Sequence, residues 1–380
     1  MGPQAKTKPA PPPLDGEVLY DYFLKQQDGH TADHLAFLDR GIDNSPLKDQ
    51  IAHYPSRLHS MRPDAGPGPT FPELGQMPDI DPHGLDFLHA DISHACVAVG
   101  SWHNHQLSTR WMGRNATTPA QMWSATKPYP MVLTAIKAGS TPIDQCRLQD
   151  SSQSIPVTQA FEAIVSYRQG GSASNRLART FKHLHTPDGL EGWVKSVTGN
   201  QKLTFRGGYG EPATMARPRL VHCSTTVLSS PGQEHKGNNL VSAYDLTRTV
   251  ANLGWHSHLP TSKQLPNLEE KNADSLSRAL GTDSARFFEA AWEALGLQER
   301  IEDPVVISKM GFGLSDERNQ WEEVYTAFVQ FTDKATQQRH QMAVALKGNQ
   351  APQDQAAQKL DSRMVAQIAL IVQRQLDGKL

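Results

Sequence analysis

Hydrophobic positions along this chain recur with a period that changes from place to place, and each change marks an element. Ala95-Cys96-Val97-Ala98-Val99-Gly100 and Leu107-Ser108-Thr109-Arg110-Trp111-Met112 have the length and spacing of a strand pair. Far downstream, Val305-Val306-Ile307 opens a second group of strands, followed by Val324 to Phe331 and Gln341 to Lys347. Between the groups the period is helical. Met131-Val132-Leu133-Thr134-Ala135-Ile136 is an apolar helical stretch, Val157, Phe161, Ile164 and Val165 share one helix face, and Asp245 to Leu253 predicts a helix capped by Ser242. A closing helix over about Asp361 to Leu376 places Met364, Val365, Ile368, Ile371 and Val372 on one side.

Ahead of the first strand the pattern is different. Residues 1–16 are Pro-rich and predict an extended tether. Residues 17–91 predict a helical and loop extension, with short helices at Glu17 to Leu24 and Ala32 to Leu38 and a Pro/Gly-rich loop from Pro63 to Pro82.

Composition narrows the function classes. At 380 residues and 38% hydrophobic content the chain can bury a sizeable core. A net charge of −2 without a long basic run argues against a nucleic-acid partner, and no apolar stretch reaches the roughly 20 residues of a membrane span. The first residues lack the apolar core of a signal peptide, which leaves either an intracellular chain or an exported one whose signal has been removed. Cys96, Cys146 and Cys223 are too few for a disulfide framework and read as buried thiols. Three His-x-His spacings, at His103/His105, His183/His185 and His256/His258, lack a third ligand at a fixed offset, so neither a metal nor another cofactor is expected.

The candidate chemistry starts at Ser124-Ala125-Thr126-Lys127. On a helical turn, positions three apart share a face, so the lysine amine can reach the serine hydroxyl and prime it as a nucleophile. Alone, this spacing also describes a capping serine beside a solvated lysine. The downstream strand Val305-Val306-Ile307-Ser308-Lys309-Met310-Gly311-Phe312-Gly313 supplies a second signal, a lysine one residue before a glycine. Ser-x-x-Lys near the start and Lys-Thr-Gly near the end is the order found in penicillin-binding proteins and class A β-lactamases, and from about Ile92 onward the chain resembles that superfamily. The resemblance implies an α/β (α+β) fold: a five-stranded antiparallel sheet flanked by helices, with an all-helical lobe of about residues 142–294 inserted between strands. It also implies an acyl-enzyme on Ser124, with Lys127 as base, Lys309 as a positioning cation, and an oxyanion hole built from the N–H groups of Ser124 and Phe312.

The sequence departs from the superfamily pattern in three places, one of them Pro128 and Pro130 directly after Lys127, which predict an irregular or 3₁₀ start to the helix. Where the family carries Ser-Asp-Asn, this chain has Tyr167-Arg168-Gln169-Gly170-Gly171, so the proton-shuttling hydroxyl must come from Tyr167, Ser172 or Ser174. Tyr167 is taken as the catalytic candidate, with Ser172 and Asn175 on the substrate side. Met310 replaces the usual hydroxyl residue between lysine and glycine, and a thioether cannot donate a hydrogen bond to a substrate carboxylate. Met310 and Gly311 therefore line a substrate site of altered specificity. Glu211, in Gly210-Glu211-Pro212, occupies the order in which class A enzymes place their deacylating glutamate. The expected function is a serine hydrolase or acyltransferase acting on a small-molecule or peptide substrate. The alternatives are an inactive binding protein of the same fold, a D-Ala-D-Ala carboxypeptidase or a β-lactamase.

Overall fold

The computed structural model describes residues 15–27, 40–60, 70–103 and 106–380. Its main sheet is built from β1 (Ile80–Asp81), β2 (Ile92–His103), β3 (Gln106–Arg114), β4 (Ile301–Ser315), β5 (Gln320–Asp333) and β6 (Gln338–Gln350). Their order across the sheet is β1-β3-β2-β6-β5-β4, so strands from the two ends of the chain meet at β2 and β6. The long strands pair antiparallel throughout.

Each long strand is buried on both faces, and alternate residues go to different cores. Cys96, Ala98, Ile307, Phe328 and Ala343 belong to one apolar cluster, while Val97, Val306, Val329, Met342 and Val344 belong to the other. This is the period-two pattern of a sheet packed on both sides. Helix α1 (Gly16–Gln26) lies on the second face with α6 (Phe287–Ala294) and α7 (Ala356–Leu376). On the first face sit α2 (Pro128–Ala138), α3 (Val157–Ser166), α4 (Gly170–Lys182) and α5 (Ala243–Gly254), the last running across β2, β5 and β6. Ser242 caps α5 through a reciprocal capping box with Asp245.

Two expectations need correction. The sheet has six strands rather than five, because Ile80–Asp81 adds parallel to Trp111–Met112 at the edge. Ile80 reaches that position because Gly113 is bare: a Cβ there would lie 2.9 Å from Ile80 Cγ2. A two-residue strand between Pro78 and Pro82 carries no readable period. The inserted lobe is not all helical either. It holds a three-stranded sheet (Ala120–Gln121, Asn239–Val241, Thr204–Phe205) and a four-stranded one (Ser154–Pro156, Arg147–Gln149, Arg219–His222, Thr225–Ser229). Strands of two to five residues are again too short to show alternation.

The N-terminal segment contributes to both cores. Leu19 and Phe23 of α1 pack with α7, Gln27 Nε2 donates to Asp361 Oδ2 at 2.6 Å, and Arg363 forks onto Glu17 at 2.7 and 3.2 Å. Ile42, Tyr54, Leu58 and Phe71 join the core of the opposite face. The predicted helix Ala32 to Leu38, the tether up to residue 14 and part of the Pro/Gly-rich loop lie outside the described residues.

The expectation of buried thiols holds for two of the three cysteines. All three thiols are free, Cys96 and Cys146 buried and Cys223 exposed. Burial pushes the Cys96 thiol up to about 12 and the Cys146 thiol up to about 11, so neither is a reactive thiolate at neutral pH. His183, His256 and His258 each meet a backbone carbonyl and His185 the Thr134 hydroxyl; His105 lies outside the described residues. No described helix is long and apolar enough to cross a membrane.

The crossing of α5 over the sheet depends on Gly254, where a Cβ would stand 2.2 Å from the Phe328 ring. Gly254→Ala gains at most about 1 kcal/mol of helix propensity but overpacks a rigid buried ring, which costs about 1–3 kcal/mol. With the ring unable to move aside, the net effect is destabilising. It is read as a lower urea midpoint at unchanged m-value, and an unaltered or higher midpoint contradicts it.

Candidate active site

Ser124 sits on a single 3₁₀ turn, Trp123–Thr126, that leads directly into α2. Pro128 and Pro130 occupy the first turn of α2, where the missing N–H groups are tolerated. Because proline disfavours a fully α-helical residue before it, Lys127 adopts φ −62°, ψ −26° and its N–H bonds the Ser124 carbonyl at 3.1 Å. Lys127 caps this turn three residues after Ser124; the hydrogen bond its amine makes is to Ser174, and none to the Ser124 hydroxyl is present among the described residues.

The turn is entered through a strained residue. Trp123 has φ +47°, which costs a non-glycine residue about 1–3 kcal/mol. Two contacts hold it there. Its indole Nε1 donates to Glu322 Oε2 at 2.8 Å, and its ring and Cβ lie against bare glycines on β4. Burial would raise the Glu322 carboxyl, but hydrogen bonds from Arg318 and Lys347 outweigh it and bring it down to about 2, so Glu322 is an anion wherever the protein is folded near neutral pH.

Lys309, Gly311 and Gly313 share the face of β4 that meets this turn. A Cβ on Gly311 would lie 2.6 Å from the Ser124 nitrogen and 2.8 Å from that of Ala125, and one on Gly313 would lie 2.5 Å from the Trp123 ring. Only glycine allows the serine to come this close to the strand. β4 is an edge strand, so half of its backbone groups are unpaired by the sheet. Met310 marks which half: its carbonyl accepts from the Tyr167 hydroxyl at 3.2 Å and from Lys309 Nζ at 3.0 Å, and its N–H bonds Asp283. Phe312, two residues on, directs its N–H to the same open side, beside Ser124.

Both lysines are fully buried. Lys127 Nζ donates to Ser174 Oγ at 2.8 Å, and Ser174 Oγ donates in turn to the Ile164 carbonyl at 2.7 Å. Burial, helped by the Lys309 ammonium, holds the Lys127 amine well below the usual lysine range. Lys309 Nζ lies 3.7 Å from Asp283 Oδ1. Burial raises the Asp283 carboxyl despite the opposing pull of Lys309 and a hydrogen bond from Ser308. Tyr167, itself at φ +55°, stands between the two amines, its ring centre 3.8 Å from Lys309 Nζ and 5.2 Å from Lys127 Nζ.

A cleft of about 540 Å³ opens over this group. Ser124, Tyr167, Asn175, Met310 and Phe312 line it together, joined by Gly41, Ile42 and Asp43 from the N-terminal segment. Ser172 does not belong to it. That residue is exposed and faces a separate groove with Arg176, Gln159 and Thr214, because the first turn of α4 directs it away from the cleft. Tyr167 meets the lysines with its ring, while its hydroxyl is bonded to the Met310 carbonyl. The hydroxyl that touches Lys127 belongs to Ser174. The Met310 side chain is buried in the core that includes Val306 and Tyr325, so this position presents its backbone to the neighbours of Lys309. Glu211 is half-buried with Oε2 unbonded among the described residues, does not line the cleft, and acts on Lys127 as a distant opposite charge. Gly311 serves as the spacer just described.

Sequence reasoning missed Asp283, the Trp123–Glu322 brace and the N-terminal wall. Ser174 was visible as one of three hydroxyls, and its placement on the buried side of α4 facing α3 is a packing result. Asp283 meets Lys309 across 26 positions of sequence with no motif around it.

No family model matches the chain, and no curated protein matches it. Among solved structures it is similar to a β-lactamase from Chitinophaga pinensis (11% identity, 74% of this chain and 94% of that one, TM-score 0.45). It is also similar to a β-lactamase from Desulfarculus baarsii (14% identity, 73% and 92%, TM-score 0.43). A third is a variant of the last common ancestor of Gram-negative bacteria class A β-lactamase (15% identity, 87% and 100%, TM-score 0.41).

The lowered Lys127 gives a stability signature independent of any reaction. Because the folded amine binds its proton more weakly than the unfolded one, the unfolded state holds more protons between the two pKa values. Lys127 therefore contributes its full stability only above the ordinary lysine range, and that contribution falls as pH drops toward the folded value. Lys127→Met removes this penalty. Its urea midpoint relative to the parent is expected to be highest near neutral pH and to lose its advantage as pH rises toward 10.5, the ordinary lysine value. A pH-independent difference contradicts the assignment.

Proposed function

We propose that the protein is a serine hydrolase or acyltransferase that forms an acyl-enzyme on Ser124 and acts on an amide, ester or peptide bond, with a specificity different from that of standard β-lactamases. The observation that carries this reading is Lys127, a fully buried amine three residues from Ser124 on one tight turn and held well below the usual lysine range. An amine held below its ordinary range is free of its proton at lower pH than an exposed lysine, and a free amine is what takes the proton of a serine nucleophile.

In the proposed reaction the Ser124 oxygen attacks the substrate carbonyl carbon while its proton passes to Lys127 Nζ. The carbonyl π electrons move to oxygen, and the N–H groups of Ser124 and Phe312 receive that oxyanion, each contributing about 3 kcal/mol. Collapse of the tetrahedral intermediate breaks the bond to the leaving nitrogen or oxygen, which takes the proton from Lys127. Ser174 is the hydroxyl in contact with that amine, and Tyr167 reaches the same charge with its ring. Lys309 supplies positive potential beside the oxyanion. Water then attacks the acyl carbonyl while its proton passes to Lys127 Nζ, and collapse breaks the bond to Ser124 Oγ, which takes that proton back; Glu211, the deacylating base suggested by the sequence order, lies outside the cleft lining.

A second reading, a binding protein without turnover, is favoured by one observation: Arg168-Gln169-Gly170-Gly171 stands where the resembling enzymes carry Ser-Asp-Asn.

Intact-protein mass spectrometry after incubation with a fluorescent penicillin, and separately with activated esters, distinguishes the two. A mass increase mapped to Ser124 and abolished by Ser124→Ala is expected, with ester adducts decaying faster than penicillin adducts. The adduct is expected to form faster as pH rises through a value below the ordinary lysine range. Turnover retained by a folded Ser124→Ala protein removes the nucleophile assignment, and the absence of any adduct favours the binding protein.

A further inference from the structure

The N-terminal segment supplies part of the cleft wall, and it does so with a charge. Gly41 and Ile42 line the cleft and are fixed from below: the Gly41 N–H bonds the Ser284 carbonyl at 3.2 Å, Ile42 is buried in the first core, and Ser45 Oγ donates to Glu289 at 2.8 Å. Gly41 turns with φ +58°, which brings the chain up to the cleft rim. There Asp43 meets Arg168 from the opposite rim, the residue directly after Tyr167. Arg168 donates from Nε to Asp43 Oδ2 at 3.0 Å and from Nη2 to Oδ1 at 2.6 Å, and its remaining Nη1 is held by Glu162.

Two donors of the guanidinium fork are thus consumed by a carboxylate that belongs to the protein. A fork of this shape fits a carboxylate in a bidentate manner, and here Asp43 already fills it. The Met310 side chain, turned into the core, offers no second group to a substrate carboxylate. Building on the reading of the cleft as an acyl-transfer site, we infer that Asp43 is a specificity-determining residue. By occupying Arg168 it makes the cleft select substrates that are uncharged next to the scissile group over those that bear a carboxylate there. The pair is exposed on both sides, 43% for Arg168 and 68% for Asp43, so it is individually weak and can be opened by a single substitution without disturbing the core.

The test uses two ligands that differ in one charge, phenylacetylglycine and phenylacetylglycinamide. Their equilibrium binding is measured by calorimetry on the full chain carrying Ser124→Ala, which cannot turn them over by the proposed route. The parent is expected to prefer the amide. Asp43→Asn is expected to tighten the carboxylate by about tenfold while changing the amide by less than about twofold, the gain of one charge-assisted fork. Adding Arg168→Ala should remove that gain, which separates fork binding from the mere loss of a repelling charge. An unchanged ratio in Asp43→Asn, a gain that persists without Arg168, or no binding of either ligand overturns the inference. The Ser124 adduct judges the reaction separately: an adduct with an unchanged ratio sinks only the specificity role, and a shifted ratio without an adduct sinks only the hydrolase reading.

Discussion

The approach of one tight turn to one edge strand is the constraint on which the rest of the site depends. With 2.6 Å between the Ser124 nitrogen and the place where a Cβ of residue 311 would stand, no side chain other than hydrogen fits. That contact fixes how closely the serine turn approaches β4 before any polar side chain is considered. It also explains why strain is placed at Trp123. A residue at φ +47° is what turns the chain from the short strand Ala120–Gln121 into the serine turn, and the Glu322 anion, anchored by Arg318 and Lys347, holds the indole in place. Glycines on the strand and a braced tryptophan on the turn are two halves of one fit.

Burying two lysines beside this turn is electrostatically costly, and the structure divides the cost unevenly. Lys309 has Asp283 at 3.7 Å and the Met310 carbonyl at 3.0 Å, partners that suit an ammonium. Among the described residues Lys127 has a serine hydroxyl as its hydrogen-bond partner and the ring faces of Tyr167 and Tyr209 nearby. Burial without a carboxylate partner is what lowers the Lys127 amine. Tyr167 makes the arrangement workable, since its ring lies between the two nitrogens and its hydroxyl ties the α3–α4 turn to the Met310 carbonyl.

What the sequence revealed and what it hid follow from how far each feature extends along the chain. Long strands and amphipathic helices repeat their pattern several times, so the strands near Ala95, Leu107, Val324 and Gln341 and the closing helix were legible with ends extended by a few residues. The Ser124, Lys127, Lys309 and Gly311 positions were legible because each motif lies within four residues. Ser174, Asp283 and Glu322 were not assigned their roles, because each acts through a contact distant in sequence: Ser174 with Lys127, Asp283 with Lys309, Glu322 with Trp123. The hydroxyl that touches Lys127 is that of Ser174 rather than of Tyr167, and the reason is geometric. Tyr167 ends α3 in a left-handed conformation that presents its ring to the amines, whereas Ser174 sits one element later on the buried side of α4.

The degenerate second motif has a structural counterpart that makes it less of a loss. The Tyr167 to Gly171 stretch forms one rim of the cleft, and its Arg168 bonds outward to Asp43 of the N-terminal segment. A hydroxyl in register at position 168 would have left that segment without its anchor across the cleft. Moving the lysine-contacting hydroxyl inward to Ser174, where Ile164 holds it from behind, frees the rim to carry charge. The hydroxyl in contact with Lys127 is buried on α4 and the charged pair is exposed at the rim, so the two are held by different elements. The approach of the serine turn to β4 is set by glycines and backbone and depends on neither, so it can persist while the side chains around it are redistributed.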